Sequence, residues 1–214
     1  MSCCSIPFAD TSRFFSRLAR LYRWRFRVFG LETTQRQLID GIRRAGLEGQ
    51  SLLEIGCGAG HLQRALLQAG ARRGVGVDLA ARLLEEARQQ AQQAGLATRT
   101  DYLLGDFVAL ADRIPSADIV VLDKVVCCYP DAERLLTAAM DRTQRVLALT
   151  YPRDRAATRT GVALMGALLQ LSGCGFRPYL HDPAAIEERL RHRGFHRHSR
   201  ARTFAWLTDI HIRD

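Results

Sequence analysis

The chain has 214 residues, of which 47% are hydrophobic and 25% charged, and a formal net charge of +9. That length accommodates one well-buried α/β domain and leaves no room for two full-sized ones. No run approaches the roughly 20 apolar residues that cross a bilayer, and the first residues lack the basic and apolar regions of a signal peptide, so a cytoplasmic protein is expected. The positive charge is almost wholly arginine and is spread along the chain, which leaves nucleic acid as an open but unfavoured partner. Cys3, Cys4, Cys57, Cys127, Cys128 and Cys174 show neither a disulfide framework nor zinc-ligand spacing, so no metal site is expected.

Residues 10–46 read as helix, capped by Asp10 or Thr11, broken at Gly30 and resumed over 32–45 with Leu38, Ile39 and Ile42 on one side. Residues 20–27 alternate basic and aromatic side chains. That mixture suits an anionic partner or a membrane surface, or else an amphipathic helix with solvated arginines and rings packed on the core. Residues 1–47 are expected to form a helical cap and 48–214 the main domain. From Ser51 strands over 51–55, 74–78, 99–104, 118–123 and 145–151 alternate with helices over 61–69, 80–94 and 131–141. Such alternation builds a doubly wound, mostly parallel sheet with helices on both faces. An apolar, mostly helical stretch follows over 155–171, suited to a substrate lid, a homodimer contact or a plain core helix. Asp182 and Pro183 then start a helix that Gly194 ends. Residues 195–202 and 203–212 read as an antiparallel hairpin at the sheet edge, with Phe204, Trp206, Thr208, Ile210 and Ile212 on one face.

In an open α/β sheet, ligands sit beyond the carboxyl ends of the strands, at the switch in strand order. The first strand runs into Glu54 and then Gly56, Cys57, Gly58 and Gly60. Glycines there permit positive φ and close approach of the backbone to a ligand. Glu54 can pair with the ammonium group of a bound amino acid. A dinucleotide turn instead carries G-x-G-x-x-G facing a pyrophosphate. Here the third glycine comes one residue early, and Glu54 would repel phosphate. Asp78 ends the second strand, where a carboxylate can accept both ribose hydroxyls, and Leu79 can flank adenine. Asp106 and Phe107 suit an adenine pocket, the acid accepting from the exocyclic amine and the ring stacking. Asp123 ends the fourth strand and faces the reacting centre.

These four elements, in this order over residues 48–152, resemble the class I S-adenosylmethionine-dependent methyltransferases. The resemblance implies a Rossmann-like fold, S-adenosyl-L-methionine as cofactor, and Glu54, Gly56, Gly58, Gly60, Asp78, Asp106 and Asp123 as cofactor-binding residues. Cys57, Leu79 and Phe107 join them as neighbours within the same motifs. Methyl transfer from a sulfonium is an in-line displacement in which positioning does much of the catalysis, and a base is needed only if the acceptor must lose a proton.

The segment 123–131 lies where acceptors bind, and it lacks the N-P-P-Y or D-P-P-Y sequence of amino-group methylation in nucleic acids or proteins. More loosely, the chain is similar to magnesium-protoporphyrin O-methyltransferase-like proteins. The similarity lies in the aromatic-basic N-terminal helices, the stretch from Leu122 to Pro130, and the Tyr151-Pro152-Arg153-Asp154 segment. It implies a carboxylate acceptor on a planar anionic molecule, with Arg23, Arg25, Arg153 or Arg155 pairing its charges. Tyr129 is the first choice for a proton acceptor or acceptor-orienting group, with packing as the competing role. Tyr22 could cover the cofactor, and His181 could be a base or simply solvated. Cys127 and Cys128 could bind a soft element, although free cysteines are more often small buried hydrophobes. The expected activity is methylation of a small molecule, with O-methylation of an anionic or hydrophobic acceptor favoured. An RNA or protein methyltransferase, or a thiol or metalloid methyltransferase using the cysteine pair, are the alternatives.

Overall fold

The computed structural model describes residues 6–213, apart from the side chains of residues 6–9 and of Tyr22. Five strands run parallel: β1 (Ser51–Ile55), β2 (Arg73–Asp78), β3 (Thr100–Leu104), β4 (Ala117–Asp123) and β5 (Thr143–Pro152). Two more, β6 (Phe195–Arg202) and β7 (Trp206–Arg213), pair antiparallel, giving one sheet of order β3-β2-β1-β4-β5-β7-β6. The helices are α1 (Ile6–Phe29), α2 (Thr33–Arg44), α3 (His61–Gln68), α4 (Ala81–Gln93), α5 (Phe107–Leu110), α6 (Ala132–Asp141), α7 (Ala156–Leu171) and α8 (Pro183–His192). Strand order reverses between β1 and β4, so a crevice opens at their carboxyl ends. Among the described residues no helix is long and apolar enough to cross a membrane.

The central strands are buried on both faces, which is why 119–122 is an unbroken apolar run and not an alternating one. On one face Leu53, Val120, Leu122 and Leu147 meet Leu136 and Met140 of α6 and Leu190 of α8. On the other, Leu52, Ile119, Val121 and Val146 meet Leu38 and Ile42 of α2 and Leu66 of α3. Within residues 1–47, α2 therefore belongs to the core layer. Its Gly41 lies so close to β7 that a Cβ would sit 2.5 Å from the Ile210 side chain.

Three local expectations need correction. The first helix runs through Asp10 and Thr11, which were expected to cap it, and starts at Ile6. The last strand starts at Trp206 and not at Thr203. The Thr203 N–H donates to the Trp206 carbonyl at 2.9 Å, and the Trp206 N–H to the Thr203 hydroxyl at 3.1 Å. That turn leaves Phe204 78% exposed. The expected one-sided alternation also fails, because β7 lies inside the sheet and buries Leu207, Thr208, Asp209, Ile210 and His211 in succession.

Asp209 is buried in that interior strand because it is paired. Arg200, its register partner on β6, donates two hydrogen bonds to the carboxylate at 2.7 and 2.6 Å, and the Tyr151 hydroxyl supplies a third. The outer strand β6 carries His196, Arg197, His198, Arg200 and Arg202, a charged edge that discourages pairing with another chain.

His211 is 1% exposed, and neither ring nitrogen has a partner among the described residues. Burial lowers its pKa to about 4 despite the opposing pull of Asp209 and Glu187. The unfolded imidazole takes up a proton near its ordinary value of 6.5, whereas the folded one resists to about 4. Stability is therefore complete above the upper value and is lost as pH falls to the lower, by roughly 3 kcal/mol from this group. Urea melts of the wild type and of His211→Leu from about pH 7 down to about pH 4 isolate this share, and the wild-type midpoint should lose more with acid than that of the variant. Of the dependence common to both, His61 acts in the same direction as His211, while the raised carboxyls of Glu54, Asp78 and Asp123 act in the opposite one.

Candidate active site

The chain leaves β1 through Gly56, Gly58 and Gly60, at φ values of 68°, 53° and 70°, before α3 begins. Backbone of this hand costs a residue with a Cβ about 1–2 kcal/mol. The three positions serve different ends. At Gly56 a Cβ would strike Val125 at 2.5 Å, while at Gly58 it would meet nothing within 4 Å. Gly60 lies against Ala87 of α4 and the Tyr102 hydroxyl and does not border the cavity described below. It lets α3 and α4 approach one another.

Asp78, at the end of β2, accepts the Gly58 N–H at 2.8 Å and the Ala80 N–H at 2.7 Å. One carboxylate thus fixes both the glycine turn and the start of α4. Glu54 on β1 is 4% exposed, and its Oε2 has no partner among the described residues. Asp123 at the end of β4 accepts from Gln35 at 3.2 Å through Oδ2, while its Oδ1 is unpartnered. Burial raises the pKa of all three acids, and the charge of Asp123 raises Glu54 further. Three carboxyls on neighbouring strands therefore border one cavity and are poorly compensated, which favours a cationic ligand.

Lys124 partly offsets them. It is the one non-glycine among the described residues with positive φ, at 60°, a conformation that costs of order 1–3 kcal/mol. The inverted residue places its ammonium in an ion pair with Glu32, the N-cap of α2, which also lies 3.3 Å from Arg25. Sequence reading missed Glu32, Gln35 and Lys124. The available signals were the capping-box spacing of Glu32 and Gln35 and a lysine directly after a strand-end acid.

The cavity measures about 770 Å³, toward the upper end of the range of about 300–1,000 Å³ for small-molecule sites. Glu54, Gly56, Cys57, Gly58, Asp78, Leu79, Asp106, Phe107 and Asp123 border it. The rest of its lining is largely apolar and includes Phe14 and Phe15 of α1, Val162 and Met165 of α7, Phe176 and Trp206. Phe14 stacks on Phe176 with ring centroids 4.7 Å apart. The Ser12 hydroxyl donates to the Leu79 carbonyl at 2.7 Å, and Phe26 stacks on His61 at 3.6 Å, so α1 is tied across the mouth.

Of the residues expected to act on the acceptor, Arg25 lines the cavity, whereas Tyr129 and His181 lie outside its lining. The Tyr129 hydroxyl donates to the Asp106 carboxylate, 3.2 Å from each oxygen, and does not border the cavity. Burial and the Asp106 charge raise its pKa, so it stays protonated. A ring nitrogen of His181 sits 3.1 Å from the Tyr129 carbonyl, also away from the cavity. Tyr22 lies on α1 with its side chain outside the described residues, as are Cys3 and Cys4. Cys127 and Cys128 do border the cavity, but both thiols donate to the Lys124 carbonyl, at 3.2 and 3.3 Å. The hydrogen bond with Cys127 and burial push the Cys128 thiol well up. No group of three or more His, Cys, Asp or Glu side chains placed to hold a metal occurs among the described residues.

Residues 52–148 match a family model described as a methyltransferase domain. Magnesium protoporphyrin IX methyltransferase from Synechocystis PCC 6803, solved with bound SAH, shares the fold with a TM-score of 0.72. That match is 23% identical and covers 95% of this chain and 98% of that one. Residues 52–148 thus carry a methyltransferase domain, on the fold shared with that solved methyltransferase. Ribosomal protein L11 methyltransferase of Pectobacterium carotovorum is 38% identical over 86 residues, 40% of this chain and 27% of that protein. Ubiquinone biosynthesis O-methyltransferase of Cupriavidus pinatubonensis is 35% identical over 101 residues, 47% of this chain and 39% of that protein. The methyltransferase domain thus matches well under half of the length of these curated relatives.

The site fits S-adenosylmethionine. The unpartnered Glu54 oxygen lies in an acidic pocket beside a glycine turn, and Gly58 presents open space to the ligand. Gly58→Val should lower affinity for S-adenosylhomocysteine at least tenfold by calorimetry. Urea stability should fall only by the backbone cost of about 2 kcal/mol.

Proposed function

We propose that the protein methylates a small, largely apolar acceptor that carries an anionic group, through an oxygen of that acceptor. The observation that carries this reading is one cavity lined by three buried acids at the strand ends and otherwise by largely apolar side chains. S-adenosylmethionine, when bound, supplies a methyl carbon on a positively charged sulfur. Glu54, Asp78 and Asp123 make the strand ends favourable for that charge, and Glu54 is the partner for its ammonium group. Asp106 borders the same cavity, and Tyr129 acts as a positioning residue that orients the Asp106 carboxylate. Phe14, Val162, Met165 and Phe176 exclude water from the acceptor side, which strengthens every charge interaction within it.

The anionic preference rests on the rim. The Arg153 N–H donates to the Ala205 carbonyl, and its guanidinium to the Thr203 carbonyl at 2.9 Å, beside the cavity-lining Trp206. Burial, and then the nearby charges of Arg155 and Arg202, lower the Arg153 pKa. These guanidiniums stand outside the cavity lining, in which Arg25 of α1 is the one arginine, and a guanidinium suits a carboxylate. An anionic acceptor oxygen needs no base; the cavity lining holds one histidine, His61, stacked under Phe26, and one tyrosine, Tyr179, stacked against His181. The thiols of Cys127 and Cys128, both hydrogen-bonded to the Lys124 carbonyl, give no support to metalloid chemistry.

Incubation with methyl-tritiated S-adenosylmethionine and separated organic-soluble, RNA and protein fractions tests the reading. Label should enter the organic-soluble fraction, as an ester or ether by mass. Label confined to RNA or protein overturns it. Met165→Trp, at a half-exposed wall position, should raise the acceptor KM about tenfold, the scale set by one or two buried methylenes, and leave the S-adenosylmethionine KM unchanged.

A further inference from the structure

Helix α1 has two apolar sides, and the fold uses one. Phe15 and Ala19 pack on Ala59, Ala80 and Leu83, and Phe26 lies on His61. On the opposite side Leu21, Trp24 and Val28 recur at i, i+3 and i+7, which stacks them in one stripe. They are 55%, 57% and 54% exposed. Arg13, Arg17, Arg20 and Arg27 lie on the same outward side, and all are exposed. The helix holds six arginines and a single acid, Asp10. Arg17, Arg20 and Arg27 make no ion pair among the described residues.

We propose that this outward face of α1 docks the protein peripherally on an anionic lipid bilayer. A tryptophan and aliphatic residues at the centre, bordered by arginines, is the arrangement that lies in the headgroup region. The apolar stripe enters the acyl boundary and the guanidiniums pair with lipid phosphates. The charge also argues against the other occupants. A two-fold contact through this face would set Arg17 and Arg20 against their own copies with no acid between them. A nucleic-acid backbone would satisfy the arginines but leave Leu21, Trp24 and Val28 in water. Helix α7 offers a second element. It has no buried residue, Arg159 is its only charge, and Leu164, Leu168 and Leu171 are 60%, 59% and 84% exposed. Both helices contribute apolar side chains to the cavity lining. A bilayer on these helices therefore adjoins cavity lining suited to a greasy molecule.

Co-sedimentation of the full chain with vesicles tests the proposal. Neutral phosphatidylcholine vesicles are compared with vesicles in which a third of the lipid is phosphatidylglycerol, each at low and at half-molar salt. Binding is expected to the anionic vesicles at low salt and to weaken as salt rises. Trp24→Ser with Leu21→Ser, and separately Arg17→Glu with Arg20→Glu, should each weaken it at least tenfold, given the contribution of each basic side chain near such a surface. Affinity for S-adenosylhomocysteine, unchanged in both variants, shows that they are folded. The proposal is overturned by no binding to anionic vesicles at low salt, by equal binding to neutral ones, or by wild-type affinity in both double variants. It is equally overturned if the same residues prove to mediate a dimer in sedimentation equilibrium, or binding to RNA in preference to vesicles.

Discussion

Three carboxyl groups at the ends of β2, β1 and β4 impose the constraint that organises this molecule. Glu54, Asp78 and Asp123 share one cavity, and burial raises the cost of charge on each. The fold tolerates them by spreading small compensations across distant elements. Backbone N–H groups of the glycine turn and of α4 meet Asp78, a glutamine from α2 meets Asp123, and Lys124 lies 3.9 Å from Asp123. Neither Glu54 nor Asp78 has an ion pair among the described residues, and one Glu54 oxygen lacks even a hydrogen bond. A positively charged ligand completes the electrostatics of the sheet end, so cofactor affinity and local order are two aspects of one balance.

Much of this was legible in the sequence because each piece is local. A buried parallel strand is a short apolar run, its end is marked by an acid, and the turn after it needs glycine. Residues 51–60, 74–79, 104–107 and 118–123 state this without reference to one another, and the structure brings them around one cavity. What was not legible depends on distant pairing. Lys124 meets Glu32 across ninety-two positions and does so only because its backbone is inverted. Tyr129 follows the acceptor segment in sequence, yet it turns toward Asp106 and away from the cavity. The burial of Asp209 is intelligible only once Arg200 and Tyr151 are known to surround it.

The N-terminal region shows how far one helix can be shared between uses. Sequence alone left open whether the rings of residues 20–27 pack inward or meet a partner. Phe26 does the first, stacked on His61, while Trp24 faces outward. The helix is held by the Ser12 bond to Leu79, the Phe14–Phe176 stack, the Arg23 ion pair with Glu86 at 3.5 Å, the packing of Phe15 and Ala19 on Ala59, Ala80 and Leu83, and the Phe26 stack on His61. Access to the site and exposure of the basic face are therefore properties of the same element.

Helix α7 carries a different consequence. Its sixteen residues include Gly161 and Gly166, and no side chain in it is buried. A helix of that length is marginal in water by its own hydrogen bonds, and here tertiary packing adds little. One wall of the cavity is consequently a segment that can unwind and re-form without disturbing the sheet. Passage of a bulky molecule past that wall need not await a hinge between rigid bodies. Its pace would follow helix–coil relaxation, on the order of a microsecond for a segment of this size, leaving the strand ends and their carboxylates undisturbed throughout.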